Sequence, residues 1–170
     1  MNKAERTKQF IVEMTAPVFN EKGYSGTSLS DMTNATGLTK CSIYGNFAGK
    51  DEVAVACFDY NLQKVNRIIH QEMQKKESGR DKLLVYVHVY ENFLKHPFPA
   101  GGCPILNTAT EADDTHPLLK QKAIDAVQLW KSKITAIIET GIRKGEFSKQ
   151  ANAEQTALTM IAMIEGCIMI

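Results

Sequence analysis

Thr27 to Lys50 reads TSLSDMTNATGLTKCSIYGNFAGK, and its residues fall where two short helices joined by a tight turn need them. Ser28 stands three residues before Asp31 and just ahead of Leu29 and Met32. Its hydroxyl can cap a helix while Asp31 reaches back to free backbone donors. Asn34 to Gly37 ends that helix, with Gly37 suited to left-handed backbone and Leu38 placed to tuck the turn against a core. Thr39 then caps a second helix that opens with Lys40, Cys41 and Ser42. Ile43 and Phe47, four residues apart, share its inner face, which leaves Lys40, Ser42, Tyr44 and Asn46 outside. Small polar and basic side chains at the front of an exposed second helix suit entry into a DNA groove.

Working outward, hydrophobic spacing is helical nearly everywhere, and no run of alternating β-branched residues suggests a strand. The spacing predicts an all-α fold. A first helix over about Lys3 to Lys22 places Ile11, Met14 or Thr15, Val18 and Phe19 on one stripe and stops at Gly23. Pro17 removes a bond to the carbonyl of Glu13, so a kink is expected there. A long helix from about Asp51 carries Val53, Cys57, Tyr60, Asn61, Val65, Ile68 and Ile69 up to the polar run KKESGR. The next, about Asp81 to His96, puts Leu83, Leu84, Val87, Tyr90 and Leu94 on its buried side, and PFPAGG breaks it. A short helix from Pro104 to about Ala112, one from Pro117 to about Lys144, and a last one capped by Asn152 complete the chain. The closing MIAMIEGCIMI is apolar and carries no stop signal, so the chain is expected to continue beyond Ile170.

With 170 residues and 44% hydrophobic content, one sizeable core, or a small domain attached to a larger one, is within reach. A net charge of +1 gives no global signature of nucleic-acid binding, so a DNA-facing surface has to be local. Residues 1–50 carry +2 and the remainder −1, an asymmetry of the right sign and small size. Cys41, Cys57, Cys103 and Cys167 lie far apart, which argues against a zinc site or a disulfide framework and for a reducing cytoplasm. The polar N-terminus has no apolar leader core, and no apolar run is long enough to span a bilayer, so no membrane role is expected.

The stretch from Ile11 to Asp51, IVEMTAPVFNEKGY followed by TSLSDMTNATGLTKCSIYGNFAGKDE, resembles the TetR-type transcriptional repressors. Gly23, Tyr24, Thr27, Gly37, Leu38, Tyr44, Phe47 and Lys50 all stand at that family's spacings. The resemblance implies an all-helical homodimer with an N-terminal three-helix DNA-binding unit, here residues 1–50, and a ligand-binding and dimerisation domain, here 51–170. Four positions depart from the pattern: Thr33 and Thr36 stand where the family usually has alanine, Gly45 replaces a larger residue, and Pro17 is unusual.

Phosphate contacts position a protein on DNA while base-edge contacts specify sequence. Thr27, Ser28, Tyr44 and Lys50 are assigned to phosphates. Lys40, Cys41, Ser42 and Asn46, behind the Thr39 cap, are assigned to the major-groove floor. Tyr44 as a partly buried aromatic and Lys40 as a solvated charge are the duller alternatives. Two copies about a two-fold axis would read a palindromic operator, with Ala157, Met160, Ile161, Ile164 and Ile168 as the pairing face or as ordinary core. Release from DNA requires a ligand that binds two conformations differently. An apolar pocket for a small-molecule effector is expected from Phe58, Tyr86, Tyr90, Phe93, Leu106, Asn107, Trp130, Met160 and Met163, each of which can also serve only as core.

Cys103 follows two glycines and precedes Pro104 at a helix start, which would favour an accessible thiolate. GGCPILNTATEA also resembles the equivalent region of TetR-type repressors that sense electrophiles or oxidants. The competing readings are a small apolar residue without chemistry, or a thiol-switch protein or small helical enzyme built on Cys103. His70, His88, His96 and His116 are not spaced for metal ligation, and Glu111, Asp113 and Asp114 read as an acidic loop before Pro117. No nucleophile, base and orienter recur as a group and no Gly-rich phosphate loop occurs, so neither enzymatic activity nor a cofactor is expected.

Overall fold

The computed structural model describes residues 2–95 and 97–170, so His96 lies outside the described residues. Among them the chain forms eight helices and no strand: α1 Lys3–Gly26, α2 Leu29–Thr36, α3 Lys40–Tyr44, α4 Lys50–Met73, α5 Gly79–Glu91, α6 Pro104–Ala112, α7 Pro117–Lys144 and α8 Ala153–Ile168. The all-α expectation is met. Asn2, Ser28, Thr39, Ser78, His116 and Asn152 each accept a backbone N–H at a helix start, and Gly37 and Gly145 end α2 and α7 in left-handed conformation.

α1 lies along the first half of α4, and two of the polar contacts between them are buried. The Thr15 hydroxyl sits 3.2 Å from the Cys57 thiol, and the Asn61 amide donates to the Ala16 carbonyl at 3.0 Å. Val53 and Cys57 near the start of α4, and Val65 and Ile69 near its end, are all buried, so this one helix runs from the N-terminal unit into the C-terminal helices. There α5, α6 and α7 pack around it and α8 closes against α7.

Several expectations are corrected or decided. Within α1 the helical backbone breaks at Gly23 (φ 73°, ψ 178°), where the first helix was expected to stop, and one further turn carries the element on to Gly26. Thr15, not Met14, takes the buried place on the α1 stripe. α3 stops at Tyr44, so Phe47 reaches the core from the turn that follows. α5 ends at Glu91, and its buried residues include Val85, Tyr86, Val89 and Tyr90, while Val87 is 42% and Leu94 80% exposed. The expected pairing face of α8 is intramolecular core at Ala157, Ile161 and Ile164, because α7 covers it.

Candidate nucleic-acid interface and effector region

The interface begins with the cap of α2. Ser28 Oγ accepts from the Asp31 N–H at 3.1 Å, and Asp31 accepts from the Ser28 N–H at 2.8 Å, the reciprocal pair that their spacing predicts. Lys22 reaches Asp31 at 2.6 Å and, with Ser28, holds this carboxyl well below the usual range. Gly37 turns the chain at φ 68°, and the Thr36 hydroxyl accepts from the Leu38 N–H at 3.2 Å while donating to the Met32 carbonyl at 2.8 Å. A threonine at this place thus fastens the turn from within. Met32 and Ile43 are fully buried, with α2 packed against α1 and α3 against α2.

On α3, Thr39 Oγ1 accepts from the Ser42 N–H at 3.2 Å, and Asn46 donates to the Ser42 carbonyl at 2.8 Å. Lys40 and Cys41 are exposed; Ser42, Tyr44 and Asn46 are half-buried at the same surface. Lys50 Nζ rests 4.3 Å from the centre of the Tyr24 ring, and the Tyr24 hydroxyl donates to Asp51, which pushes that phenol up to about 12. Thr27 departs from its assignment. Its side chain is 1% exposed and its hydroxyl donates to the Gly23 carbonyl at 2.6 Å, so it closes the end of α1 and does not face a phosphate.

The joint to the C-terminal helices is polar. Glu111 on α6 accepts from the backbone N–H groups of Tyr24 at 2.6 Å and Ser25 at 2.7 Å. Asn107 donates to the carbonyls of Asn20 and Gly101, and Asn20 donates to those of Ala100 and Gly102. His116, the cap of α7, packs edge-on against Tyr24 with ring centres 4.4 Å apart and lies 3.7 Å from Asp51. The last turn of α1 and the first turn of α4 are therefore gripped by α6 and α7.

The residues expected to line one effector pocket divide among three places. Phe58 and Asn107 border a void of about 30 Å³ beside Glu111. Tyr86, Tyr90 and Trp130 close around about 20 Å³. Tyr90, Phe93, Met160 and Met163 line a groove of about 480 Å³ between α5 and α8, with Met163 59% exposed. Leu106 packs partly buried against the core. Asn107 is not a free orienting amide, since both its donor contacts go to backbone.

Cys103 is fully buried, and burial together with nearby Glu165 pushes its thiol far up. That corrects the expectation of an accessible thiolate: the α6 terminus is covered by α5 and α8, and the thiol donates to Glu165 at 3.1 Å. Among the described residues no group of His, Cys, Asp and Glu could hold a metal, and no helix is long and apolar enough to cross a membrane.

Helix-turn-helix geometry on a three-helix unit, joined by a long helix to a larger helical domain, defines a class of DNA-binding regulators. Residues 11–57 match the family model of bacterial regulatory proteins of the tetR family, and residues 79–170 match the tetracyclin repressor-like C-terminal domain. The chain belongs to the TetR family of transcriptional regulators. It is similar to a TetR-family regulator from Cytophaga hutchinsonii (46% identity, TM-score 0.93, 99% of this chain and 84% of that one). A TetR regulator from Chloroflexus aurantiacus shares 37% identity at TM-score 0.94 over 99% of this chain and 85% of that one. The transcriptional regulator TtgR of Pseudomonas putida is 23% identical over 97% of this chain and 80% of its own length.

Three groups that matter to these contacts carry little or no signal in the sequence. Glu111 reads locally as part of an acidic loop, and its partners lie 86 and 87 residues away, beyond any local pattern. His116 has no distinguishing neighbour. Glu165 does leave a signal, as the one charged residue in the apolar run MIAMIEGCIMI.

Proposed function

We propose that this regulator is a ligand-responsive repressor that binds a palindromic operator as a homodimer in the cytoplasm and leaves it when a small apolar effector binds. Residues 1–50 act as the DNA-binding unit and 51–170 as the effector and pairing domain. The observation that carries this reading is the outward surface of α3. Lys40 and Cys41 are open, Ser42, Tyr44 and Asn46 flank them, and Lys50 is oriented by the Tyr24 ring at its edge. Lys40, Cys41, Ser42 and Asn46, positioned by Thr39, read bases; Ser28, Tyr44 and Lys50 hold phosphates.

The grip of Glu111 and His116 on the ends of α1 and α4 supports the response to ligand, because a shift of α6 or α7 has a direct path to the DNA-binding unit. Reading Cys103 as the centre of an enzyme or thiol switch loses support from its burial. A gel shift on the chain's own upstream DNA at two salt concentrations tests the proposal. Affinity that falls steeply with salt on a palindromic duplex is expected, and salt-indifferent binding or no retained duplex overturns it.

A further inference from the structure

His116 is buried, and its two ring nitrogens are used unequally. Nδ1 accepts the Leu119 N–H at 3.2 Å and so caps α7. A nitrogen that accepts carries no proton, so the neutral ring holds its one hydrogen on Nε2. Nε2 has no hydrogen-bond partner among the described residues, and Asp51 Oδ1 stands 3.7 Å from it, just beyond hydrogen-bond reach.

Charging the ring changes both ends. The added proton can go only to Nδ1, where it would face the Leu119 N–H as donor against donor, so an imidazolium cannot keep the cap. Its charge also attracts Asp51, whose side chain is 59% exposed and can swing, whereas that of His116 is 8% exposed and held. Asp51 is at the same time the acceptor of the Tyr24 hydroxyl, and the Tyr24 ring carries Lys50 Nζ 4.3 Å from its centre. Drawing the carboxylate toward α7 therefore takes it from Tyr24 and unsettles Lys50.

The other charged groups near the ring are engaged elsewhere or open to solvent. Glu111 on α6 is taken by the N–H groups of Tyr24 and Ser25. Asp113 is paired with Lys120 at 3.0 Å, and Asp114 is exposed in the turn before His116. Among the described residues Asp51 is the one carboxylate that pairs with the ring.

We infer that His116 is a pH-operated latch between α7 and the DNA-binding unit: neutral, it caps α7; charged, it releases Leu119 and takes Asp51 from Tyr24. Operator affinity then falls on acidification through about pH 8 to 5, where an imidazole changes charge. General electrostatics runs the other way, since added positive charge strengthens nonspecific binding to DNA. The latch stands on the contacts of the ring; its effect on the operator rests on the repressor reading above.

The test uses the full chain at about pH 8 and about pH 5.5 at constant ionic strength. Nitrogen-15 NMR of the imidazole is expected to show an unprotonated Nδ1 at the higher pH. At the lower pH the Leu119 amide should lose protection from exchange, after correction for the intrinsic rate. Operator affinity, read by anisotropy, should fall about fivefold, the lower end of couplings between distinct sites, while a scrambled duplex should bind no more weakly. His116→Asn keeps a capping oxygen that gains no charge, and Asp51→Asn removes the carboxylate; each should bind the operator equally at both pH values. A proton on Nδ1 at the higher pH, or a Leu119 amide unchanged as the ring charges, overturns the latch whether or not the variants fold. Equal operator affinity at both pH values, or a fall that persists in His116→Asn, overturns its control of DNA binding. Absence of operator binding throughout would overturn the repressor reading, while the ring and amide signals still decide the latch.

Discussion

The carboxylate of Glu111 accepts the backbone N–H groups of Tyr24 and Ser25 at 2.6 and 2.7 Å, joining α6 to the last turn of α1 across more than eighty residues of sequence. The approach is possible because Gly23 has no side chain: a Cβ there would stand 2.4 Å from the carboxylate, at a backbone φ of 73°. The joint belongs equally to the fold and to the path between the two domains.

Removing either half should therefore loosen both. Glu111→Ala is expected to lower stability by about 2 kcal/mol, the scale of hydrogen bonds to a charged acceptor. Gly23→Ala should cost about 1–3 kcal/mol from strain at a left-handed site. Urea unfolding measures both. In operator binding, Glu111→Ala should weaken the effect of an effector more than it weakens DNA affinity in the effector's absence. Unchanged coupling with lowered stability would show that the contact is structural only.

Lys40 and Lys50 should behave differently on DNA. Lys40→Ala is expected to relax sequence preference, whereas Lys50→Ala should weaken all duplexes alike and reduce the salt slope by about 1. Anisotropy titrations on operator and scrambled duplexes distinguish them, and identical losses on both duplexes for both variants would remove the division of roles.

Thiol chemistry should follow burial. Cys41 and Cys167 are exposed while Cys57 and Cys103 are buried, and burial pushes the Cys57 thiol up to about 12. Ellman's reagent on native protein should thus titrate two thiols promptly and the other two only on unfolding. Prompt labelling of Cys103, seen by peptide mapping, would contradict its placement.

The cap of α2 should be acid-sensitive. Lys22 and Ser28 depress the Asp31 carboxyl in the folded state, so its contribution is present above the unfolded carboxylate range and is lost as pH falls through the lower folded value. Asp31→Asn should flatten the acid limb of the stability profile while keeping its shape near neutrality. An unaltered acid limb would show that this cap carries no pH dependence.

Much of the fold was legible in local patterns because helices are local objects. Ser28 with Asp31, Gly37, Thr39, Pro104, Pro117, Gly145 and Asn152 mark helix ends within four residues of sequence, and the structure puts the ends there. The face that each helix buries was legible less often. In α5 the buried set slipped to Val85, Tyr86, Val89 and Tyr90, because every position from Leu83 to Tyr90 except His88 is apolar or aromatic and period alone does not choose among them.

The sequence by itself determined that the chain is helical, that Thr27 to Lys50 forms a helix-turn-helix, and that Lys40, Cys41 and Ser42 stand at the front of its second helix, since each depends on neighbours a few residues away. Tertiary structure alone decided that Thr27 and Cys103 face inward, that the expected pocket residues split among three places, and that Glu111 and Glu165 find their partners on α1 and at the start of α6. Those outcomes follow from which helices cover one another. Burial and electrostatic pairing between groups sixty or more residues apart are set by packing and leave no period in the chain.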